Sequence, residues 1–286
     1  MSAVILDGKA LAIKIRESLG PRAAALKAKR GRPPLLAIVT SERPDKAAVR
    51  YRQSQKKACE EIGMHWNTLS ADWRGSDDLL RAISGMRDCD AVILDLPLNK
   101  SIAIEELLAK LPPELDAEGV TPFNYGRLFE IKAYEELQKR RLVAPCTALA
   151  IAELLRSTGV PLAGKRAVVL GRSSIVGKPA AHLLSCLDMT VTLCHSKSSD
   201  LPEVVSSADV VVAAMGKPRM VKAAWIKAGA VVIDAGVNDD GGKVCGDVEP
   251  EAASRAGWVT PPVGGLGPVT TAMLLSNSVM LAERRG

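Results

Sequence analysis

The sequence predicts an α/β protein of two domains. Three observations carry the prediction: the length, the alternation of short apolar runs with helix-length stretches, and a glycine-bearing loop between a strand and a helix. A chain of 286 residues suits two modest domains better than one large one. In the first half, residues 9–29 carry apolar positions three and four apart and read as a helix. Leu35-Leu-Ala-Ile-Val-Thr40 follows Pro33-Pro34 and reads as a buried strand. Residues 46–62 read as a polar helix closed by Gly63, 65–69 as a strand, 77–86 as a helix, and 91–94 as a third strand ending at Pro97. This alternation predicts a parallel sheet with helices on both faces. Residues 112–145 read as irregular, and the domain boundary is placed near their end.

The second half is cleaner. Thr147 caps a helix to about Thr158, and Arg166-Ala-Val-Val-Leu170 is a buried strand. The loop Gly171-Arg-Ser-Ser-Ile-Val-Gly-Lys-Pro179 leads into a helix reaching about Leu187. Strands follow at 190–194, 209–214, 230–234 and near Val259. The pattern is that of a doubly wound, Rossmann-like dinucleotide-binding domain. A helix over 270–284 closes the chain and is expected to pack back on the first domain. The division is therefore 1–143 with the C-terminal helix 270–286, against 144–269.

Composition narrows the function. Only 3 % of residues are aromatic, so platforms for stacking nucleic-acid bases are scarce. The net charge of +6 comes from scattered Lys and Arg, the densest groups lying beside helix ends, which reads as solvated helix surface. No nucleic-acid partner is expected. None of the six cysteines forms a C-x-x-C pair and most sit in apolar stretches, as for reduced thiols, with no metal site expected. The start, MSAVILDGKALA, lacks a basic n-region and carries Asp7 in its apolar run, so no signal peptide is expected. No run of 18 apolar residues occurs, so no membrane association is expected and the expected location is cytoplasmic.

The loop at Gly171 departs from G-x-G-x-x-G: Ser173 takes the second glycine place and Val176 the third. A tight turn there exposes backbone N–H groups, and a helix N-terminus favours negative charge. Pro179 suits the first helical turn. At the end of the next strand NAD-binding folds carry an acid for the ribose hydroxyls. This chain has His195-Ser196-Lys197-Ser198, with no acid until Asp200. Those groups together with Arg172 suit a 2′-phosphate, so NADP is the expected cofactor.

Over essentially its whole length the chain resembles the bifunctional methylenetetrahydrofolate dehydrogenase/cyclohydrolase family. The matching segments are Lys57-Ala-Cys-Glu-Glu-Ile-Gly63, Leu96-Pro-Leu98, Asn124-Tyr-Gly-Arg-Leu128, Pro145-Cys-Thr147, the loop 171–179, Gly216-Lys-Pro218, Asp234-Ala-Gly-Val-Asn238, Gly246-Asp-Val248 and Gly264-Gly-Leu-Gly-Pro268. The resemblance implies a folate cleft between two domains, usually a homodimer, and oxidation of 5,10-methylenetetrahydrofolate to the methenyl form with NAD(P)⁺. Most members then hydrolyse the methenyl form. It implies cofactor contacts at Gly171, Arg172, Ser173, Ile175, Val176, Gly177, His195, Ser196, Lys197, Gly216 and Val237.

The chemical positions of the first domain depart from the family. The family's folate-site Tyr is kept as Tyr51, but its Lys four residues on falls on Gln55. The family's Gln at a strand end falls on Asp95, the second Asp of its D-V-D-G on Glu118, and a Ser before the Tyr on Ala48. The family's V-P-G-G reads Pro262-Val263-Gly264-Gly265. Tyr51, Gln55, Asp95 and Glu118 are thus the candidate catalytic residues. Hydride transfer needs two rings held face to face. Hydrolysis also needs a titratable group poised near neutral pH. An amide at Gln55 is no such group, so the cyclohydrolase step is expected to be lost or weak. Asp95 or Glu118 would either stabilise the methenyl cation or serve as a replacement base. Two alternatives stand beside this one: an oxidoreductase on a modified pterin or one-carbon carrier, and a non-catalytic NADP-binding protein.

Overall fold

A computed structural model describes residues 3–41, 46–86, 88–96, 98 and 102–285, with the side chains of residues 46–48 and 50 also outside the description. Pro97 and the side chain of Ala48 therefore lie outside the described residues. The chain divides into two compact units.

The chain opens with β1 (Val4–Ile5), α1 (Gly8–Arg30), β2 (Leu35–Ser41), α2 (Lys46–Glu61), β3 (His65–Ala71), α3 (Ser76–Ser84), β4 (Ala91–Leu94) and α4 (Ile104–Lys110). Two short helices, α5 (Pro122–Phe129) and α6 (Glu136–Lys139), occupy the stretch that reads as irregular in sequence. Then come α7 (Cys146–Ser157), β5 (Arg166–Leu170), α8 (Gly177–Ser185), β6 (Thr190–Cys194), α9 (Leu201–Ser206), β7 (Val210–Ala213) and β8 (Val231–Asp234). The chain closes with β9 (Asn238–Asp240), β10 (Lys243–Cys245), β11 (Trp258–Val259) and α10 (Leu266–Arg285).

The first unit comprises Ile13–Leu128, Arg141–Ala144 and the chain from Leu274. Its parallel sheet has the order β3-β2-β4, and Asp116 adds a parallel bridge to Val92. The central strand β2 and its neighbour β4 are largely apolar and almost wholly buried, as expected where helices cover both faces. Asp90, fully buried just before β4, is paired with Arg30 at 2.9 Å and Arg32 at 2.8 Å and accepts the Leu35 N–H. Burial alone would raise this carboxyl, but the two guanidiniums and the amide outweigh it and hold it below the usual range. The C-terminal part of α10 packs in this unit as expected: Asn277 donates to the Ala117 and Ala144 carbonyls.

The second unit holds the chain through Ala12, Phe129–Arg140 and Pro145–Met273. Its main sheet has six strands, all parallel, in the order β1-β11-β8-β7-β5-β6, and β9 pairs antiparallel with β10. From β5 the chain passes to β6 on one side and then returns to β7 on the other, so the topological switch point lies between β5 and β7.

This division differs from the expected one most in two segments, besides residue 144 and residues 270–273. β1 pairs with β11, Val4 opposite Trp258, so the N-terminus extends the second sheet. Residues 129–140 pack on α8, with the Tyr134 N–H on the Cys186 carbonyl at 3.0 Å and the Phe129 ring 4.5 Å from the His182 ring. A two-residue strand has too few positions to show a period of two. Among the described residues no helix is long and apolar enough to cross a membrane, and no cluster of acids, histidines and cysteines is placed to hold a metal ion. All six cysteines are buried thiols outside any disulfide.

Candidate functional site

In the second unit a groove of ≈ 500 Å³ opens outside the carboxyl ends of β5, β6 and β7, where open α/β sheets bind their ligands. Gly171 turns the chain at the end of β5 with φ 114°. A Cβ there would lie 2.1 Å from the Ala214 carbonyl oxygen, and one on Gly177 would lie 1.9 Å from that of Gly171. No other residue fits either place, so the loop is drawn tightly against β7 and the first turn of α8. Ser173 also lines the groove. Its hydroxyl accepts the N–H groups of Val176 at 3.2 Å and Gly177 at 3.3 Å, which takes up part of the exposed amide set expected for a phosphate.

The polarity left on the groove wall is mostly in side chains. Arg172, His195, Ser196, Ser198 and Lys217 line it, with no carboxylate among the lining residues. His195 is held by its own loop: its N–H reaches Ser198 Oγ at 3.0 Å, and its Nδ1 accepts the Lys197 N–H at 3.1 Å. Cations, hydroxyls and a glycine cradle fit a dinucleotide carrying an extra phosphate. Lys197 is exposed and, with Ile175, Val176, Gly177 and Gly216, is not among the residues lining the groove. Val237 is 79 % exposed and also off the wall.

Two acids, the buried Asp247 and the half-buried Asp234, brace the groove. Asp247 accepts the N–H groups of Met215, Gly216 and Lys217, and the Asn238 side-chain amide at 2.9 Å. Asp234 accepts from the amides of Gly236, Asp247 and Val248. Burial pushes the Asp234 carboxyl upward, against those amides and with the nearby Asp247 charge. Gly236 and Gly246 admit the pair: a Cβ on either would fall 2.4 Å from Asp247 and 1.8 Å from Asp234 respectively. The segments 234–238 and 246–248 are thus scaffold for the loop that follows β7.

In the first unit a second group gathers beyond the carboxyl ends of β2 and β4. α2 carries Tyr51, 44 % exposed, and Gln55, 5 % exposed, one turn apart and so on one face. Asp95 follows β4, its N–H bonded to the Val39 carbonyl. Its carboxylate accepts the Thr40 hydroxyl at 3.1 Å and pairs with Arg52 Nε at 3.1 Å, while Arg52 Nη1 donates to Thr40 Oγ1 at 3.0 Å. Arg52 is a residue that the sequence reading missed. The available signal was helical geometry: Gln55 projects between Tyr51 and Arg52 on the wheel, at roughly 100° per residue.

Glu118 lies two residues after the Asp116 bridge. Burial first, then the negative charges of Asp116 and Asp95, push its carboxyl up to about 7, against a hydrogen bond from the Leu94 amide. Tyr125 on α5 is pushed up to about 12 by burial, Asp116 and Glu118. Asp116 itself is structural: it is buried, and the Thr121 N–H and the Asn124 amide each reach it at 2.8 Å. Asp95 and Glu118 are therefore brought together, whereas Asp95 is already engaged by a cation. His182, set against Phe129 and 3.5 Å from Cys186 Sγ, is a packing residue.

A parallel-sheet unit with a basic dinucleotide groove, together with a second unit bearing an acid, an amide and an aromatic ring at its strand ends, defines an NAD(P)-linked oxidoreductase. Residues 6–118 match the tetrahydrofolate dehydrogenase/cyclohydrolase catalytic domain, and residues 145–286 match the NAD(P)-binding domain of the same family. The bifunctional protein FolD of Geotalea daltonii is 44 % identical over 289 residues, covering 99 % of this chain and 100 % of that protein. Among solved structures, the bifunctional enzyme FolD, a methylenetetrahydrofolate dehydrogenase/cyclohydrolase from Campylobacter jejuni, matches with TM-score 0.91 at 33 % identity, covering 100 % of both chains. The Trypanosoma brucei methylenetetrahydrofolate dehydrogenase-cyclohydrolase, solved with NADP and an inhibitor, matches with TM-score 0.89 at 35 % identity, covering 100 % of this chain and 99 % of that one. The chain belongs to the tetrahydrofolate dehydrogenase/cyclohydrolase family and is an oxidoreductase of that family.

Proposed function

We propose that this protein oxidises 5,10-methylenetetrahydrofolate to the methenyl form with NADP⁺ and has lost most or all of the cyclohydrolase step. NADP⁺ supplies the hydride acceptor. Gly171 and the basic wall of Arg172, Ser196, Ser198 and Lys217 hold it, and the Asp234–Asp247 brace keeps the adjoining loop in place. The Tyr51 ring forms one wall of the pterin site, and Glu118 bonds the pterin amino group. No proton moves at the reacting carbon during hydride transfer, so orientation is the main demand.

Hydrolysis adds a demand that these residues meet poorly. Water must lose a proton as it attacks the amidinium carbon, and a ring nitrogen must gain one as the ring opens. The observation that carries the reading is the nearly buried Gln55 amide where the resemblance places a Lys. Asp95, held by Arg52 and Thr40, is poorly placed to take over. A second reading keeps hydrolysis with Glu118 as the base, and the position of its carboxyl near neutrality favours it. An absorbance assay with methylenetetrahydrofolate and NADP⁺ separates the two. Methenyl product that decays no faster than in buffer supports the first, and accelerated decay supports the second. A homodimer, implied by the resemblance, belongs to the same proposal and is tested by sedimentation.

A further inference from the structure

On α10 the apolar residues near Asn277 in sequence, Leu274, Leu275 and Val279, are buried, and Asn277 is buried with them at 2 % exposure. An amide in such a place has no water to bond and is costly unless the protein supplies partners. Its Nδ2 donates to the Ala117 carbonyl at 2.9 Å and to the Ala144 carbonyl at 3.0 Å, one hydrogen for each. Both acceptors belong to fully buried residues, and both bear on Glu118. Ala117 precedes Glu118 in the chain. Gly119, which follows it, is packed on Ala144: its φ is 69°, and a Cβ there would lie 2.5 Å from the Ala144 carbonyl carbon. The backbone on the two sides of Glu118 is thus tied to one residue, by packing after it and through Asn277 before it. All of these residues lie within the first unit.

We propose that Asn277 is a positioning residue for the folate site: its amide ties the peptide between residues 117 and 118 to Ala144 and so aims the Glu118 carboxyl at the pterin amino group. The inference rests on Glu118 bonding that amino group. An amide that only anchored α10 would be served by any two acceptors. Here one acceptor belongs to the peptide that Glu118 completes, and the other to the residue on which Gly119 is packed. The Ala117 carbonyl and the Glu118 N–H share one planar unit, so a hold on that oxygen fixes the direction in which the Glu118 side chain leaves the chain. The preceding segment is fixed separately. The Val92 N–H reaches the Leu115 carbonyl at 2.6 Å, the Ala117 N–H reaches the Val92 carbonyl at 3.2 Å, and Asp116 is held by Thr121 and Asn124. Those bonds leave open the rotation about the Ala117 Cα–C bond, and Asn277 sets it. A side chain that must meet a ligand at one geometry needs such support behind it.

The test is steady-state kinetics with 5,10-methylenetetrahydrofolate and NADP⁺. Asn277→Ser keeps one donor and gives up the bridge. It should raise KM for the folate roughly tenfold, as for loss of a well-aimed hydrogen bond. The kcat and the KM for NADP⁺ should stay at their wild-type values, the signature of lost substrate binding. Asn277→Gln keeps both donors but carries them one methylene further, so its folate KM should rise less, about threefold. In a Glu118→Ala background neither change should raise the folate KM any further, because the group being aimed is gone. An unchanged folate KM in Asn277→Ser, an equal rise in the Glu118→Ala background, or a matching rise in KM for NADP⁺ overturns the inference. Should Asn277→Ser fail to fold, Asn277→Gln decides by the same three outcomes. The site reading fails separately, if Glu118→Ala alone leaves the folate KM unchanged.

Discussion

Gly246 stands so close to Asp234 that a Cβ would lie 1.8 Å from its carboxylate oxygen. Asp234 cannot retreat, because three backbone amides hold it. Gly246→Ala should therefore displace the brace under the dinucleotide groove. The expected cost is roughly 1–3 kcal/mol of stability, as for overpacking of a tight interior, together with weaker NADP⁺ binding as the amides of residues 215–217 lose register. Denaturant unfolding and a cofactor titration check both. Unchanged stability would show that the brace yields freely.

NADP⁺ should be preferred to NAD⁺, since the groove wall offers Arg172, Ser196 and Ser198 and no carboxylate. Arg172→Ala should weaken NADP⁺ by on the order of 1–3 kcal/mol, the cost of a charge-assisted hydrogen bond, and barely affect NAD⁺. Comparing kcat/KM for the two cofactors in both proteins decides. A wild-type preference for NAD⁺ would reverse the assignment.

Gln55→Lys should gain a little methenyl hydrolysis. Arg52 is one turn away on α2 and paired with Asp95. The carboxylate holds protons on nearby cations, so the new ammonium is a poor base while Asp95 remains. Gln55→Lys with Asp95→Gln removes that carboxylate and leaves Arg52 uncompensated, which lowers the ammonium's proton affinity. The double variant should hydrolyse faster than the product of the single effects predicts. Additive rates would mean that the two positions do not act as a unit.

Stability should fall as pH rises from about 4.5 to about 7, because Glu118 is raised from its ordinary value to about 7 when folded. In that window the folded state binds more protons than the unfolded one, so the slope of unfolding free energy with pH is negative. Above about 7 this contribution is constant. Glu118→Gln should flatten the slope and be relatively more stable on the alkaline side. Denaturant midpoints across the window measure it, and an unchanged slope would place the Glu118 carboxyl in water.

The parallel strands and the tight turn at Gly171 are legible in the chain alone. Strands such as 91–94, 166–170 and 190–194 fall at their predicted residues, because a continuous apolar run bounded by turn residues is a local signal. The family motifs were equally legible, yet their reason was not. That Gly236 and Gly246 make room for Asp247 and Asp234 depends on contacts across a loop. The same holds for β1, whose two residues acquire meaning only beside β11, and for α5 and α6 within a stretch of prolines and charges. Asp95 shows the difference most directly. Its residue type suggested a free carboxylate at the site, and the fold placed Arg52 and Thr40 against it. Charge type is written in the chain, whereas the partner that neutralises it is chosen by packing, since residues 40, 52 and 95 meet only once β2, α2 and the end of β4 are assembled.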